Sequence, residues 1–202
     1  MTLRFSTREV VDFVLAWLAL GVAFTFFFGG GERILGSVDF FVRLLGLSLV
    51  TAGVGFLLHE LAHKVVAVRF GQVAEFRADY GMLFLAVASG LAGFLFAAPG
   101  AVYHRGHLTE REGGLIALAG PVTNLALAAL FLPLLVLGGG IVSAVGSFGV
   151  TINLLLAGFN MLPFGPLDGR TVFQWSKPVY LLVFVPSAAL AALVLFGPRL
   201  LG

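Results

Sequence analysis

His59, Glu60 and His63 form the pattern His-Glu-x-x-His inside the stretch Gly53–Lys64. Two histidines four residues apart on a helix lie on one face, one turn apart, so their ring nitrogens can reach a single metal ion. Glu60 is turned about 100° further round. From there it can take a proton from a water at the metal without being a ligand. Two ligands, a general base and an open coordination position are the parts of a zinc hydrolase. The bland alternative is a pair of hydrogen-bonded core histidines. Against it, three ionisable residues fall within five positions, directly after the fifteen uncharged residues Leu44 to Leu58. Ionisable groups at membrane depth are costly to place and mark functional sites.

Two histidines leave a metal site unfinished. Asn160-Met161-Leu162-Pro163-Phe164-Gly165-Pro166-Leu167-Asp168-Gly169-Arg170 holds two prolines and two glycines, which forbid a regular helix. Unwound backbone at membrane depth is tolerated where it lines a cavity. Asp168 on such a segment can point back at the histidine pair and complete a tetrahedron that leaves one place for water. It can equally be an ordinary turn residue, since Pro-x-Asp-Gly is turn chemistry, and composition alone favours the turn. Asn160 can donate to a carbonyl or hold a peptide strand, or it can be a helix C-cap. In Gly120-Pro121-Val122-Thr123-Asn124, Gly120 and Asn124 share a helix face, and Pro121 starts or kinks the helix. Asn124 either lines the active-site cavity or is an interhelical hydrogen-bond donor. Ser143, Ser147 and Thr151 make a packing stripe at helical spacing, and His104 and His107 lie in a charged, solvated loop.

The elements that must position these residues are set by composition. The 202 residues are 59% hydrophobic and 11% charged, with mean hydropathy +1.06. Soluble domains carry about 25% charge, so the chain is an integral membrane protein. A net charge of +2 and the lack of any basic run interleaved with aromatics argue against nucleic acid as a partner. With no cysteine, any metal must be held by His and carboxylate. Apolar runs of spanning length are Val10–Phe28, Phe41–His63, Leu115–Leu137, Ile141–Leu162 and Pro178–Phe196. All read as helices, because an open strand cannot satisfy its backbone in lipid. The first reads as a retained span rather than a cleaved signal peptide, since no Ala-x-Ala site follows it.

Gly81–Val102 is apolar enough to cross, but Ser89–Gly93 breaks its middle and Pro99-Gly100 ends it. If it dips in and returns, nine of the twelve Lys and Arg share one side and only Arg33, Arg43 and Arg199 face the other. If it crosses, the split is six against six. The positive-inside tendency favours the return, with the nine on the cytoplasmic side. An even number of crossings is also what lets Asp168 meet the histidines. The expected fold is therefore an all-α polytopic membrane protein of five to six transmembrane helices. A small membrane-associated hairpin lies between the second and third spans. It reads as one domain over 1–202, with a core over 41–170 and peripheral helices at 10–28 and 178–196. Leu44 to Leu58 covers about 22 Å of helix, which sets the histidines roughly 8 Å below the cytoplasmic face.

His59-Glu60-Leu61-Ala62-His63, Gly120-Pro121-x-x-Asn124 and Asn160-x-x-Pro163-x-x-x-Leu167-Asp168-Gly169, in this order, resemble the site-2 protease family of intramembrane zinc metalloproteases. The resemblance covers roughly residues 41 to 170. It implies one Zn2+ per chain bound by His59, His63 and Asp168, with Glu60 as the base. It implies that Asn160 helps hold unwound substrate or stabilises the oxyanion, with Asn124 assigned beside it as a substrate-binding residue. It also implies single-span membrane protein substrates within the lipid bilayer. Where the family often continues Asp-Gly-Gly, this chain has Asp168-Gly169-Arg170. The rival expectation is a membrane metal transporter or sensor that uses the same two histidines and aspartate.

Overall fold

The computed structural model describes residues 2–30, 34, 36–94 and 99–196. Among them, helices α1 (Thr7–Gly29), α2 (Val38–Ser48), α3 (Val54–Arg69), α4 (Tyr80–Leu91), α5 (Glu110–Leu137), α6 (Ile141–Asn160), α7 (Asp168–Trp175) and α8 (Lys177–Phe196) carry almost all the order. Strands β1 (Val73–Ala78) and β2 (Gly100–Arg105) pair as a two-stranded sheet. A π-helical turn, Leu49–Gly53, joins α2 to α3, so Val38–Arg69 is one helical run of 32 residues. At about 1.5 Å per residue, the five runs Thr7–Gly29, Val38–Arg69, Glu110–Leu137, Ile141–Asn160 and Lys177–Phe196 are long and apolar enough to cross a bilayer. The protein is an all-α, polytopic membrane protein, as its composition requires.

The chain falls into two compact units. One comprises Arg4–Leu57 and Glu75–Tyr103. In it α1 contributes Ala16, Leu20 and Ala23 to a core with Phe56, Phe76, Leu83 and Ala86. Ser6 caps α1 by accepting from Glu9 N at 3.1 Å. At the π turn the Trp17 indole N–H donates to the Leu49 carbonyl at 2.9 Å. Asp79 caps α4, accepting from Met82 N at 3.0 Å. Its own N–H donates to Pro99 O at 3.0 Å. The two ends of the insert are thus tied together, and α4, with 12 residues, is about 18 Å long. A segment that starts and finishes at one point returns to the side it left. Among the described residues the insert is a strand, a short helix and a strand.

The other unit comprises Leu58–Ala74 and His104–Gly202, with residues 2–3. Thr109 and Glu112 form a capping box that starts α5 ahead of the expected Leu115. Pro121 consequently lies well inside α5 rather than at its start. The turn at Gly140, with φ +55°, sends α6 back along α5. At Gly149 the Phe131 ring occupies the space a side chain would need. Ala117, Met161, Val172 and Tyr180 form a core that seats α7 and α8. The expected connector Pro163–Lys177 holds helix α7. Asp168 is its first residue, not part of an unwound strand, because the carboxylate suits a helix N-terminus.

Candidate metal centre

Helix α3 presents His59 and His63 on one face as its four-residue spacing requires, and both are buried. Their Nε2 atoms lie 3.0 Å apart. Asp168 Oδ2 lies 3.2 Å from His59 Nε2 and 3.4 Å from His63 Nε2. Ligand bonds of about 2.0–2.1 Å at the tetrahedral angle place ligand atoms about 3.3 Å apart. The three atoms therefore have the spacing of one face of a zinc tetrahedron. Glu60, His59 and His63 offer ligand-type atoms that all lie within 4.8 Å of one another, so the Glu60 carboxylate is close to the same point.

The hydrogen bonds behind the imidazoles say which atoms carry protons. His63 Nδ1 faces the Ile116 carbonyl at 2.7 Å, and a carbonyl can only accept. The proton is therefore on Nδ1, and the neutral ring presents a lone pair at Nε2. His59 Nδ1 faces Asn124 Oδ1 at 2.5 Å, which fixes the same tautomer. Three electron pairs then converge in a buried space, and Asp168 Oδ2 has no hydrogen-bond partner there. A single proton could bridge only one pair of the three. A divalent cation at the centre would meet them all, so the residues present fit a metal ion.

Gly120 explains why the space exists. A Cβ at this position would run into both imidazole rings at their Nε2 edges. One turn later on the same face, Asn124 reaches His59 from behind. Asp168 is held by its neighbour: a Cβ on Gly169 would strike the main chain of Met161 and Leu162. Only glycine lets the first turn of α7 lie against the end of α6.

The structure thus brings His59, Glu60, His63 and Asp168 together. It places Asn124 behind His59, fully buried, rather than on the open side of the centre. Asn160 donates Nδ2 to Leu156 O, 3.0 Å away in its own helix. His104 and His107 are exposed. Sequence reasoning missed the Ile116 carbonyl, which no side-chain motif can mark, and Asn153, which bonds to Asn124.

These features define a multi-pass helical membrane protein with a buried two-histidine, one-carboxylate centre beside a glutamate. The chain is 41% identical over 187 residues to a Methanocaldococcus jannaschii protein provisionally named zinc metalloprotease MJ0611, covering 91% of this chain and 92% of that one. It is 33% identical over 157 residues to the similarly named YwhC of Bacillus subtilis, covering 66% of this chain and 70% of YwhC. It is also 33% identical over 196 residues to the similarly named Rip2 of Mycolicibacterium smegmatis, covering 83% and 70%. No family model matches the chain. No solved structure matches it significantly. The chain belongs to the site-2 protease-like group of zinc metalloproteases.

Proposed function

We propose that the protein is a zinc endopeptidase that hydrolyses peptide bonds in the transmembrane segments of membrane-tethered substrates. One observation carries this reading: three ligand-type atoms, 3.0 to 3.4 Å from one another, converge beside a buried carboxylate on a helix of spanning length. His59, His63 and Asp168 hold the ion. Bound zinc supplies Lewis acidity, which acidifies water and polarises a carbonyl. Glu60 takes the proton of the attacking water and returns it to the leaving amine, so the proton balance closes on one residue. Asn124 orients His59. Asn160, at the end of α6 where the chain leaves the helix, contacts unwound substrate. Burial of the centre demands such unwinding, because carbonyls in a substrate helix are already hydrogen-bonded. The nine-to-three partition of basic residues supports a position near the cytoplasmic face.

The test is cleavage of a single-span substrate by purified, reconstituted protein, with zinc content measured on the same samples. Glu60→Gln is expected to keep one zinc per chain and to lose at least about 100-fold in rate. Cleavage at the wild-type rate by this variant would overturn the role of Glu60. Zinc flux that survives Glu60→Gln, without cleavage by either protein, would instead support a transporter.

A further inference from the structure

Asp168 stands at the head of α7, a helix of eight residues whose N-terminus has no side-chain cap. So short a helix is marginal by itself, and packing must set its direction. Three contacts do so. Gly169 lies against the main chain of Met161 and Leu162. Val172 is fully buried in the core with Ala117, Met161 and Tyr180. Trp175, the last residue, lays its indole on Gly114 of α5: the three atoms a Cβ at Gly114 would meet first all belong to that ring. Gly169 and Val172 hold the helix within about a turn of Asp168. Trp175 is seven residues on, about 10 Å along the axis, and has the longest lever arm over the direction of α7.

The other partner in that contact also bears on the centre. Gly114 is two residues before Ile116, whose carbonyl meets His63 Nδ1 at 2.7 Å. It is six before Gly120, whose missing side chain makes room for both imidazoles. At 100° per residue, Ile116 and Gly120 share one face of α5, and Gly114 and Ala117 share another. One helix thus meets the histidines on one side and Trp175 on the other, and all these residues belong to one compact unit. Asp168 Oδ2 lies 3.2 and 3.4 Å from the two Nε2 atoms, so a swing of α7 against α5 alters both spacings.

We propose that Trp175 is a positioning residue for Asp168. Seated on Gly114, its indole fixes the angle of α7 against α5 and so keeps Asp168 Oδ2 at ligand spacing from His59 and His63. The effect on metal affinity rests on the zinc reading of the site; the angle of α7 does not.

The experiment therefore reads both, in the full chain. With no native cysteine, spin labels attach only at Leu130→Cys on α5 and Gln174→Cys on α7, both exposed positions. The distance between them is measured in metal-free protein by double electron–electron resonance, and zinc affinity by competition with a chelator. The parent is expected to give one narrow distance. Trp175→Ala should broaden or shift it and lower zinc affinity by about tenfold or more. Trp175→Phe keeps a flat ring on Gly114 and should restore the narrow distance and most of the affinity. Gly114→Ala drives the ring off its seat and should also lose about tenfold. The double variant has no ring to strike and should bind zinc no more weakly than Trp175→Ala, where independent effects would multiply to about 100-fold. A role in packing alone would lower stability and leave distance and affinity in place, which overturns the proposal. So does a shifted distance with parental zinc affinity, or a double variant whose losses multiply. If Trp175→Ala does not fold, Gly114→Ala decides, and parental affinity there overturns the proposal. A parent that binds no zinc, with a distance that still moves in Trp175→Ala, would sink the protease reading and leave the seating of α7 standing.

Discussion

Each of the two units buries carboxylates, and they do so under opposite rules. In the unit built on α1, every buried acid among the described residues meets a donor. Glu9 accepts from Phe76 N at 2.9 Å. Asp12 accepts from the Tyr80 hydroxyl at 2.6 Å and lies 3.6 Å from Arg77 Nη1. Arg77 also pairs with Glu75 at 2.8 Å, and the Ser6 hydroxyl donates to Glu75. The hydrogen bond to Asp12 raises the pKa of Tyr80, so the phenol remains a donor throughout the ordinary pH range. In the unit built on α5 and α6, the half-buried Asp168 turns Oδ2 to His59 Nε2 and His63 Nε2, and that oxygen has no hydrogen-bond donor. Burial alone does not separate structure from function here; the count of donors does. A satisfied cluster holds a strand against a helix, whereas three acceptors without a proton ask for a cation.

The contrast can be broken most severely at the ligands. His63→Ala or Asp168→Ala is expected to lose stoichiometric zinc, measured by elemental analysis, and to reduce cleavage to background. Next comes Gly120→Ala, whose methyl enters the space of both imidazoles and is expected to weaken zinc binding by about tenfold or more. The other cluster should respond in stability alone. Asp12→Leu strands the Tyr80 hydroxyl and the Arg77 guanidinium, and should cost about 1–3 kcal/mol in thermal or denaturant unfolding. Zinc content per folded molecule should not change. If it falls as far as in Gly120→Ala, the separation of the two clusters is wrong. The smallest effect belongs to Gly113→Ala, on the same helix as Gly120. Its Cβ would meet Thr171 at an ordinary 4.0 Å, so zinc affinity should stay put. Helix propensity should add about 0.5–1 kcal/mol of stability.

Much of this arrangement was legible because it depends on local spacing. His59, Glu60 and His63 are ordered by helix geometry alone, and the five spans by length and apolarity. Asp168 was legible as a residue type but not in its setting. Its short helix is stabilised by a core with Tyr180 and Met161 that no local window contains. The strands flanking α4 were not legible: Val73–Ala78 lay in a connector and Gly100–Arg105 at the end of a segment read as a returning hairpin. Lone strands are forbidden in lipid, but here β1 pairs with β2, and Glu9 takes the N–H of Phe76. Asn124 was marked by its distance from Gly120, but its direction was not: only the packing of α6 shows that it points at His59 and Asn153. For Asn153 no sequence signal existed, since a lone buried asparagine in an apolar helix looks like any interhelical donor.

The contact between Gly169 and the backbone of Met161 and Leu162 has a consequence for how this chain can vary. It closes the residues between α6 and α7 into a loop pinched at its neck, with Pro163, Phe164, Gly165 and Pro166 exposed at its rim. Extra residues inserted at the rim would swell outward and leave the neck untouched. Length at 163–166 is thus free to drift, and a tag or fluorophore placed there should report on the protein without disturbing Asp168.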